Sequence, residues 1–322
     1  MTIKNKRILL TGGGGFIGSK LAESLGAENE ILVYDIFKRD SLKYKKINPK
    51  HIKVIDGDIL DFDKLKNACE DFRPQIAVHL AAIAGVDTVI KNPVKTMDIN
   101  IVGTMNFLKS IKKYSHILER VANFSTSEVL GAYSYKSSEK SGTNFAPVGE
   151  ARWTYSVSKV AGEHMMYSFY KEYGYPVVTV RPFNIYGPGQ IGEGAIQIFI
   201  KNAVKNKNIE IHGDGDQIRS WCYIDDMMDG IMLCLTNKKA VGEIFNIGNP
   251  KGTVTITSLA EKIVSLCRTK SKIVYVPKNY VDVELRIPTI DKAYKLLGFK
   301  PKVDLNTGIK RTFAWYKKWL SN

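Results

Sequence analysis

The sequence predicts an α/β protein built on a parallel sheet with helices on both faces. Short apolar runs alternate with amphipathic stretches through the first half of the chain, which is the pattern of repeated strand–helix–strand units. A glycine-rich turn follows the first apolar run directly, as in doubly wound sheets of the Rossmann type. After about residue 182 the helices become shorter and glycine-rich loops separate them, which predicts a smaller, partly discontinuous C-terminal lobe.

The alternation locates the individual elements in order. Strands are predicted at Arg7–Leu10, Ile31–Tyr34, Lys53–Ile55, Ile76–Leu80, Val121–Ser125 and Val177–Arg181. Amphipathic helices are predicted at Lys64–Glu70, Asp98–Tyr114 and Tyr155–Tyr173. With 322 residues, 44% of them hydrophobic, the chain can bury a large core. We expect residues 1–182 to form one domain, to which later segments return, and residues 183–322 to form most of a second lobe.

The first strand runs into the sequence Thr-Gly-Gly-Gly-Gly-Phe-Ile-Gly at positions 11–18. Gly12 permits a sharp exit from the strand, Gly15 lets backbone N–H groups approach a pyrophosphate, and Gly18 lets the next helix lie close to the sheet. The N-terminus of that helix offers further N–H donors and the positive end of its dipole. Phe16 and Ile17 belong to the same turn, and the whole segment predicts a dinucleotide cofactor.

An acidic residue indicates which dinucleotide is bound. Asp35 ends the second predicted strand, about twenty residues after the glycine turn, where a carboxylate can accept both ribose hydroxyls of adenosine. The same carboxylate repels a 2′-phosphate, so NAD is favoured over NADP. Lys38 and Arg39 follow closely and could serve a 2′-phosphate, but a basic pair in a loop is usually solvated surface.

Composition argues against several other classes of protein. The net charge of +15 is carried mostly by lysines scattered over helix faces, so we expect attraction for anionic small molecules and no nucleic-acid partner. No apolar run reaches the roughly 20 residues of a membrane span, and no charged-then-apolar leader opens the chain, which predicts a cytoplasmic protein with no membrane partner. The cysteines lie far apart without C-x-x-C spacing, which predicts reduced thiols and no metal site: Cys69, Cys222, Cys234 and Cys267.

A second motif adds chemistry to the predicted cofactor site. Tyr155 and Lys159 are four residues apart, so on a helix they share one face. The ammonium group lowers the pKa of the phenol, and a tyrosinate can take a proton from an alcohol while hydride leaves its carbon. A preceding strand ends in Ser-Thr-Ser-Glu, where the hydroxyls of Thr126 and Ser127 can hold a substrate oxygen and Glu128 supplies a carboxylate.

In combination these motifs resemble the extended short-chain dehydrogenases/reductases that modify nucleotide sugars. The resemblance covers essentially the whole chain and includes Thr11–Gly18, Asp58–Ile59, His79–Ala82, Asn100, Ser125–Gly131, Tyr155 with Lys159, Arg181–Asn184, Tyr186–Pro188 and Gln217–Asp226. It implies an NAD-binding Rossmann domain at residues 1–182 and a nucleotide-sugar-binding lobe at residues 183–322. The implied substrate is a nucleotide sugar, most simply a UDP-linked one.

The resemblance also implies roles for individual residues. Asp58 and Ile59 would flank the adenine, Ala81 and Ala82 would pass beneath the pyrophosphate, and Lys159 would hold the nicotinamide ribose. The remaining implied cofactor residues are Asn100, Tyr155 and Pro182, and the implied substrate residues are Asn184, Gln217, Arg219 and Arg286. The arginine fork suits a diphosphate, although for Arg286 a buried salt bridge is an equally good interpretation.

Members of this family oxidise C4 of the sugar first, and the next step decides the reaction. Epimerases usually carry a small residue where this chain has Glu128, whereas a carboxylate there can remove the C5 proton, as in 4,6-dehydratases, or assist loss of CO2. Pro147–Lys159, Arg181–Asn184 and Asp282–Ile290 resemble UDP-glucuronate decarboxylases, whereas Gly213–Trp221 resembles dehydratases and epimerases. We expect a UDP-glucuronate decarboxylase, with a 4,6-dehydratase and a 4-epimerase as alternatives; a purely structural Glu128 would favour the epimerase.

Two more distant interpretations stay open. A relative that only senses NAD would be expected to lose Tyr155 or Lys159, yet both are present. A nucleic-acid-binding role would rest on the net charge alone.

Two long predicted helices suggest a homodimer. In the resembling family the helices around Asp98–Tyr114 and Tyr155–Tyr173 pair across a two-fold axis into a four-helix bundle. Both helices carry apolar residues at helical spacing, namely Met105, Leu108, Ile111, Met165, Met166 and Phe169. The alternative is that these residues simply face the sheet.

Overall fold

The computed structural model describes residues 2–145, 148–277 and 283–320. Pro147 and Asp282, at the ends of two motifs named above, lie outside the described residues. The strands are β1 Arg7–Thr11, β2 Glu30–Asp35, β3 Ile52–Asp56, β4 Ile76–His79, β5 Arg120–Phe124, β6 Tyr133–Ser137, β7 Val177–Pro182, β8 Ile185–Tyr186, β9 Ile209–His212, β10 Ile218–Ser220, β11 Cys222–Tyr223, β12 Glu243–Ile247, β13 Thr253–Thr255, β14 Ile273–Val276 and β15 Leu285–Pro288. The α-helices are α1 Phe16–Leu25, α2 Phe62–Phe72, α3 Val86–Lys91, α4 Pro93–Met97, α5 Gly103–Ser110, α6 Trp153–Tyr173, α7 Ala195–Val204, α8 Ile224–Thr236, α9 Ile256–Cys267, α10 Asp291–Leu297 and α11 Leu305–Leu320.

The main sheet has seven parallel strands in the order β12-β7-β5-β4-β1-β2-β3. Both faces carry helices, as the doubly wound prediction requires. The chain leaves β1 toward β2 on one side and returns to β4 on the other, so the strand order reverses beside β1. Ligands of such sheets bind at the carboxyl ends of the strands at this reversal.

Two hydrophobic cores lie on the two faces of the sheet. Ile8 and Leu10 enter the core formed with α1, α7, α8, α9 and α11, whereas Leu9 enters the core formed with α2, α5 and α6. Alternate residues of one strand point to opposite faces, so a strand that is buried on both sides must be continuously apolar. The apolar run of β1 meets that requirement and fixes the strand in the centre of the sheet.

The smaller lobe contains a four-stranded sheet in the order β13-β10-β15-β6 and the two-stranded pairs β11-β8 and β14-β9. Its chain is discontinuous, as expected, because β12 returns to the main sheet after the lobe has begun. The first half of the chain also contributes a strand to the smaller lobe, because β6 pairs with β15. That strand was not predicted from the sequence.

The predicted helix Asp98–Tyr114 is wrong in its continuity. Asp98–Val102 forms a π-helical turn, α5 follows, and Lys112–Ile117 forms a 3₁₀ turn. The hydroxyl of Thr104 donates to the carbonyl of Asn100 at 2.6 Å, a side-chain bond that competes with the regular helical ladder.

The apolar residues that suggested a homodimer mostly face the sheet. Leu108, Ile111 and Met166 are fully buried in the second core, and Met165 and Phe169 pack against that core. The alternative interpretation therefore holds for Leu108, Ile111 and Met166, because α5 and α6 cover one face of the sheet with these residues. Met165 and Phe169 stay partly exposed, and the homodimer stays a prediction.

Candidate active site

A cleft of about 280 Å³ opens at the carboxyl ends of β1, β2, β3 and β4. Among the predicted cofactor residues, those that line it are Gly12, Gly15, Asp35, Asp58, Ile59, Ala81 and Ala82. Residues that the sequence did not single out complete the walls, including Ile36, Ile83, Ala84, Thr88, Asn92 and Lys95. They lie in the segments directly after β2 and β4, which is the one signal that could have found them.

The glycine turn is tightest at Gly12 and Gly18, where a side chain would run into the backbone. Gly12 has φ +71°, and a Cβ there would lie 2.4 Å from the backbone nitrogen of Ala81. A Cβ at Gly18 would lie 2.6 Å from the Cα of Gly13. Gly15 precedes the first residue of α1 and leaves the N-terminus of that helix open to the cleft. This backbone cradle fits a pyrophosphate group.

Phe16 and Ile17 support the turn from behind. Both are half-buried and pack against the first core, while they form the first residues of α1. This packing fixes the position of the helix N-terminus.

Asp35 lies at the cleft as predicted. Its Oδ2 accepts from the backbone N–H of Gly14 at 2.9 Å, and its Oδ1 accepts from that of Phe37 at 2.9 Å. Each carboxylate oxygen has two acceptor sites, so the fixed carboxylate can also accept ribose hydroxyls. Burial raises its pKa, and these two backbone hydrogen bonds oppose that effect. Arg39 also lines the cleft, but its guanidinium pairs with Glu193 at 3.0 Å.

Asn100 lies behind the cleft, and its amide is engaged by the protein itself. Its Oδ1 accepts from the N–H of Ile83 at 2.8 Å, and its Nδ2 donates to the carbonyl of Ile83 at 3.1 Å. A further bond of 2.9 Å runs from Nδ2 to the hydroxyl of Ser158 on α6. Asn100 thus fixes the loop that carries Ala81 and Ala82.

Lys159 is buried and joins α6 to the end of β5. Its Nζ donates to the carbonyl of Phe124 at 2.7 Å and lies 5.9 Å from the ring centroid of Tyr155. Burial lowers the pKa of Lys159 to about 8, and the negative charge of Glu163 opposes that shift. A lysine with its pKa lowered in this way still carries its charge at neutral pH but can exchange protons close to physiological pH.

The environment of Tyr155 differs from the sequence-based expectation. Burial and then the negative charge of Glu128 raise the pKa of the phenol, whereas a hydrogen bond with Thr126 and the charge of Arg286 lower it. The net shift is upward. The physical reason is that the protein removes much of the water around the half-buried phenol, while Lys159 directs its ammonium group to a backbone carbonyl.

Glu128 lies at the centre of a polar cluster beside Tyr155. Its backbone N–H donates to the hydroxyl of Thr126 at 3.2 Å, which fixes the turn Ser127–Leu130 after β5. Its Oε1 lies 3.3 Å from Arg286 Nη1 and 3.9 Å from Arg152 Nη2. The two arginine side chains are 3% and 5% exposed, so both guanidinium groups are held inside the protein next to one carboxylate.

Ser156 joins the same cluster, since its hydroxyl donates to Glu128 Oε2 at 3.4 Å. The sequence did not identify Arg152 and Ser156 as site residues. Both flank Tyr155 at the start of α6, so their nearness to the catalytic motif in the chain was the available signal. Ser127, which the sequence did predict as a site residue, is buried within the turn.

The predicted substrate residues fall into two groups. Arg219 on β10 and Arg286 on β15 are directly paired positions of parallel strands, so they lie side by side. Asn184, just beyond Pro182 at the end of β7, donates to the carbonyl of Ser220 at 3.1 Å. Gln217 is turned toward its own loop, where its Nε2 donates to Asp214 Oδ1 at 3.1 Å.

Comparison with known proteins identifies the family of this chain. The family model described as "NAD dependent epimerase/dehydratase family" matches residues 8–248. A UDP-N-acetyl-alpha-D-glucosaminuronate decarboxylase of Bacillus cytotoxicus is 33% identical over 97% of this chain and 98% of its own. A dTDP-glucose 4,6-dehydratase of Haemophilus influenzae is 32% identical over 96% and 97%. The crystal structure of a UDP-glucuronic acid 4-epimerase from Bacillus cereus, with UDP-glucuronic acid and NAD, has a TM-score of 0.86 at 30% identity and covers 97% and 99%.

The fold and the site define an NAD-dependent enzyme of nucleotide-sugar metabolism. The chain belongs to the NAD-dependent epimerase/dehydratase family. Within the described residues no helix is both long and apolar enough to cross a membrane. The same part of the chain brings together no group of three or more histidine, cysteine, aspartate or glutamate residues that could hold a metal ion.

Proposed function

We propose that the protein decarboxylates UDP-glucuronate through a 4-keto intermediate. The observation that carries this proposal is the pair of buried guanidinium groups beside Glu128 and Tyr155. Arg152 and Arg286 each present a planar fork of five N–H donors, which can bind more than one carboxylate at a time. A uronate carboxylate finds matching donors there, whereas the neutral hexose of a dehydratase substrate has no such group.

The reaction uses Tyr155 and Glu128 in succession. Tyr155 in its ionised form would accept the proton of the C4 hydroxyl, and NAD held in the cleft would supply the hydride acceptor for C4. The carboxylate at C5 is then β to a ketone, so the C5–carboxylate bond breaks, CO2 leaves and the electron pair moves toward the C4 oxygen. A proton must next be delivered to C5, and Glu128 with its arginine partners is the polar group beside Tyr155 in this structure.

The alternatives differ in the step after the first oxidation. A 4,6-dehydratase would use Glu128 to remove the C5 proton, and a 4-epimerase would only let the keto sugar rotate before hydride returns. Relatives named for each of the three reactions share nearly the same sequence identity with this chain. Membership of the family therefore does not distinguish the three reactions. The buried arginine pair favours an acidic sugar, which leaves decarboxylation and glucuronate epimerisation ahead of dehydration.

Two variants test the assignment of roles. Tyr155→Phe should abolish NADH formation with UDP-glucuronate, because the hydroxyl proton has no acceptor. Glu128→Gln should still form NADH but accumulate a 4-keto sugar, because only the later step is blocked. Tyr167→Phe, at an exposed tyrosine of the same helix, and Glu150→Gln, at an exposed glutamate, are the matched controls. Glu128→Gln turnover at the wild-type rate would make Glu128 structural and move the epimerase to first place.

We also propose a homodimer that uses the same two segments as the sequence suggested, but other side chains of them. Val94 on α4, Val102 in the adjoining π turn and Val157 on α6 are 74%, 47% and 39% exposed. These three segments pack against one another, and we infer that their exposed valines form the apolar face that meets the second chain. The expected location remains the cytoplasm, where free thiols such as the buried Cys69 stay reduced.

A further inference from the structure

A single carboxylate joins the smaller lobe to the cofactor cleft. Glu193 lies in the loop between β8 and α7. Its Oε1 accepts from Arg39 Nη2 at 3.0 Å and from the hydroxyl of Thr88 at 2.5 Å, and its Oε2 accepts from the backbone N–H of Asp87 at 3.1 Å. The sequence analysis gave no role to Glu193.

The partners of Glu193 belong to two opposite walls of the cleft. Arg39 comes from the loop after β2, whereas Thr88 lies on α3, after β4, and both line the cleft. Arg39 also donates to the carbonyl of Ala84 at 3.2 Å and to the hydroxyl of Thr88 at 3.1 Å. The two walls are therefore bonded to each other and to a loop of the smaller lobe at one point.

Two glycines next to this contact have backbone conformations that other residues rarely adopt, and the charged side chains approach both of them closely. Gly85 has φ +106°, and a Cβ there would lie 2.5 Å from Glu193 Oε2. Gly192 has φ +125°, and a Cβ there would lie 3.1 Å from Arg39 Nη1. Glycine is needed at both positions for its conformation and for the close approach of the charged groups.

We propose that Glu193 is a positioning residue that retains NAD in its cleft. The two walls of the cleft must separate when the dinucleotide leaves, and separation breaks the bonds of Glu193 to Arg39, Thr88 and Asp87. Loops that close over a ligand in this way often set the rate of release. The proposal concerns cofactor exchange only, so it does not depend on which sugar the enzyme converts.

The test is the dissociation rate of bound NADH, followed by its fluorescence when excess NAD displaces it. Glu193→Ala should release NADH about tenfold faster, equivalent to about 1.4 kcal/mol. Glu193→Gln, which keeps an acceptor oxygen but loses the charge, should give an intermediate rate. Glu28→Ala removes a distant exposed ion pair with Lys4, 2.6 Å long, and should leave the rate unchanged.

A second pair of variants keeps the test decisive if Glu193→Ala folds poorly. Thr88→Val preserves size but removes a donor to Glu193, and Arg39→Met removes the opposing charge; each should speed release. In the double variant Thr88→Val with Glu193→Gln, the change in activation free energy for NADH release should be smaller than the sum of the changes in the two single variants. The reason is that both substitutions act on one contact. Wild-type release rates for Thr88→Val and Arg39→Met at unchanged melting temperature would overturn the proposal. An equal acceleration in Glu28→Ala would overturn it as well.

Discussion

Arg286 and Glu128 approach to 3.3 Å although 158 positions separate them in the chain. Glu128 follows β5 of the main sheet, whereas Arg286 lies on β15 of the smaller lobe. The contact therefore exists only when both lobes are folded and joined. It places a charge of each sign beside Tyr155, and the two charges move the pKa of the phenol in opposite directions.

The pH dependence of the oxidation at C4 should change when the charge of Glu128 or of Arg286 is removed. The negative charge of Glu128 raises the pKa of Tyr155, so Glu128→Gln should lower it and move the rising limb of NADH formation to lower pH. Arg286 lowers the same pKa, so Arg286→Met should move that limb to higher pH. Rapid-mixing measurement of NADH absorbance across pH checks both. Shifts in the same direction for the two variants would contradict the assignment.

A second buried ion pair should contribute to stability. Arg181 on β7 donates to Glu163 on α6 through two bonds of 2.7 and 2.6 Å, and both side chains are about 8% exposed. Glu163→Ala leaves the guanidinium buried without this partner, which should cost about 3–5 kcal/mol in the free energy of unfolding. Urea unfolding measures the loss.

The control for that experiment is an exposed pair. Lys113 lies 3.4 Å from Glu70, with side chains 69% and 34% exposed. Glu70→Ala should change the unfolding free energy by only about 0–1 kcal/mol, since water and salt screen such pairs. Similar losses in both variants would show that burial of the Arg181 pair is not the cause.

Cofactor preference should depend on Asp35. Asp35→Ala removes the carboxylate that can accept ribose hydroxyls, and the loss of a charged acceptor costs roughly 1.5–3 kcal/mol. The affinity for NAD relative to NADP should therefore fall about tenfold or more. Titration calorimetry with both cofactors makes the comparison. Asp56→Ala, at the paired position of the neighbouring strand, is the control, and an unchanged preference in Asp35→Ala would remove Asp35 from the ribose site.

The oligomeric state can be tested on the exposed valines. Light scattering at micromolar concentration should give twice the chain mass of 36.1 kDa. Val102→Glu should give a monomer, because it places a charge on the apolar face next to α4 and α6. Ile198→Glu, at an exposed residue of α7, should leave the dimer intact. A wild-type protein with the mass of one chain would contradict the proposal.

Local constraints made much of the cofactor site predictable. Gly12 adopts a left-handed backbone conformation and lies close to the backbone of Ala81. The glycine-rich motif after the first strand is enough to predict both features. The position of Asp35 at the cleft was predictable because the residue ends a strand and follows the glycine turn by about twenty residues. Six of the seven strands of the main sheet were predicted for a similar reason, since the apolar runs of buried strands are visible in the sequence, whereas β12 was not predicted.

Long-range contacts could not be predicted in the same way. The pairing of Glu128 with Arg286 depends on β6 and β15 meeting in the smaller lobe, which no local pattern encodes. Helical spacing identified Leu108 and Met166 as apolar, but only packing decides whether such residues face a sheet or a second chain. Glu193 has ordinary neighbours in the sequence, and its three donors come from segments more than a hundred positions away.

The mass of the product formed from UDP-glucuronate tests the central claim most directly. The wild-type protein should give a product lighter by about 44 mass units, the mass of CO2, or lighter still by two hydrogens when NADH is released. Tyr155→Phe should return the substrate unchanged. A 4,6-dehydratase would instead leave UDP-glucuronate unchanged and remove about 18 mass units, one water, from a nucleotide-linked glucose, because the hydroxyl that leaves is the one on C6. An unchanged mass with inverted C4 would show an epimerase, and either result would contradict decarboxylation.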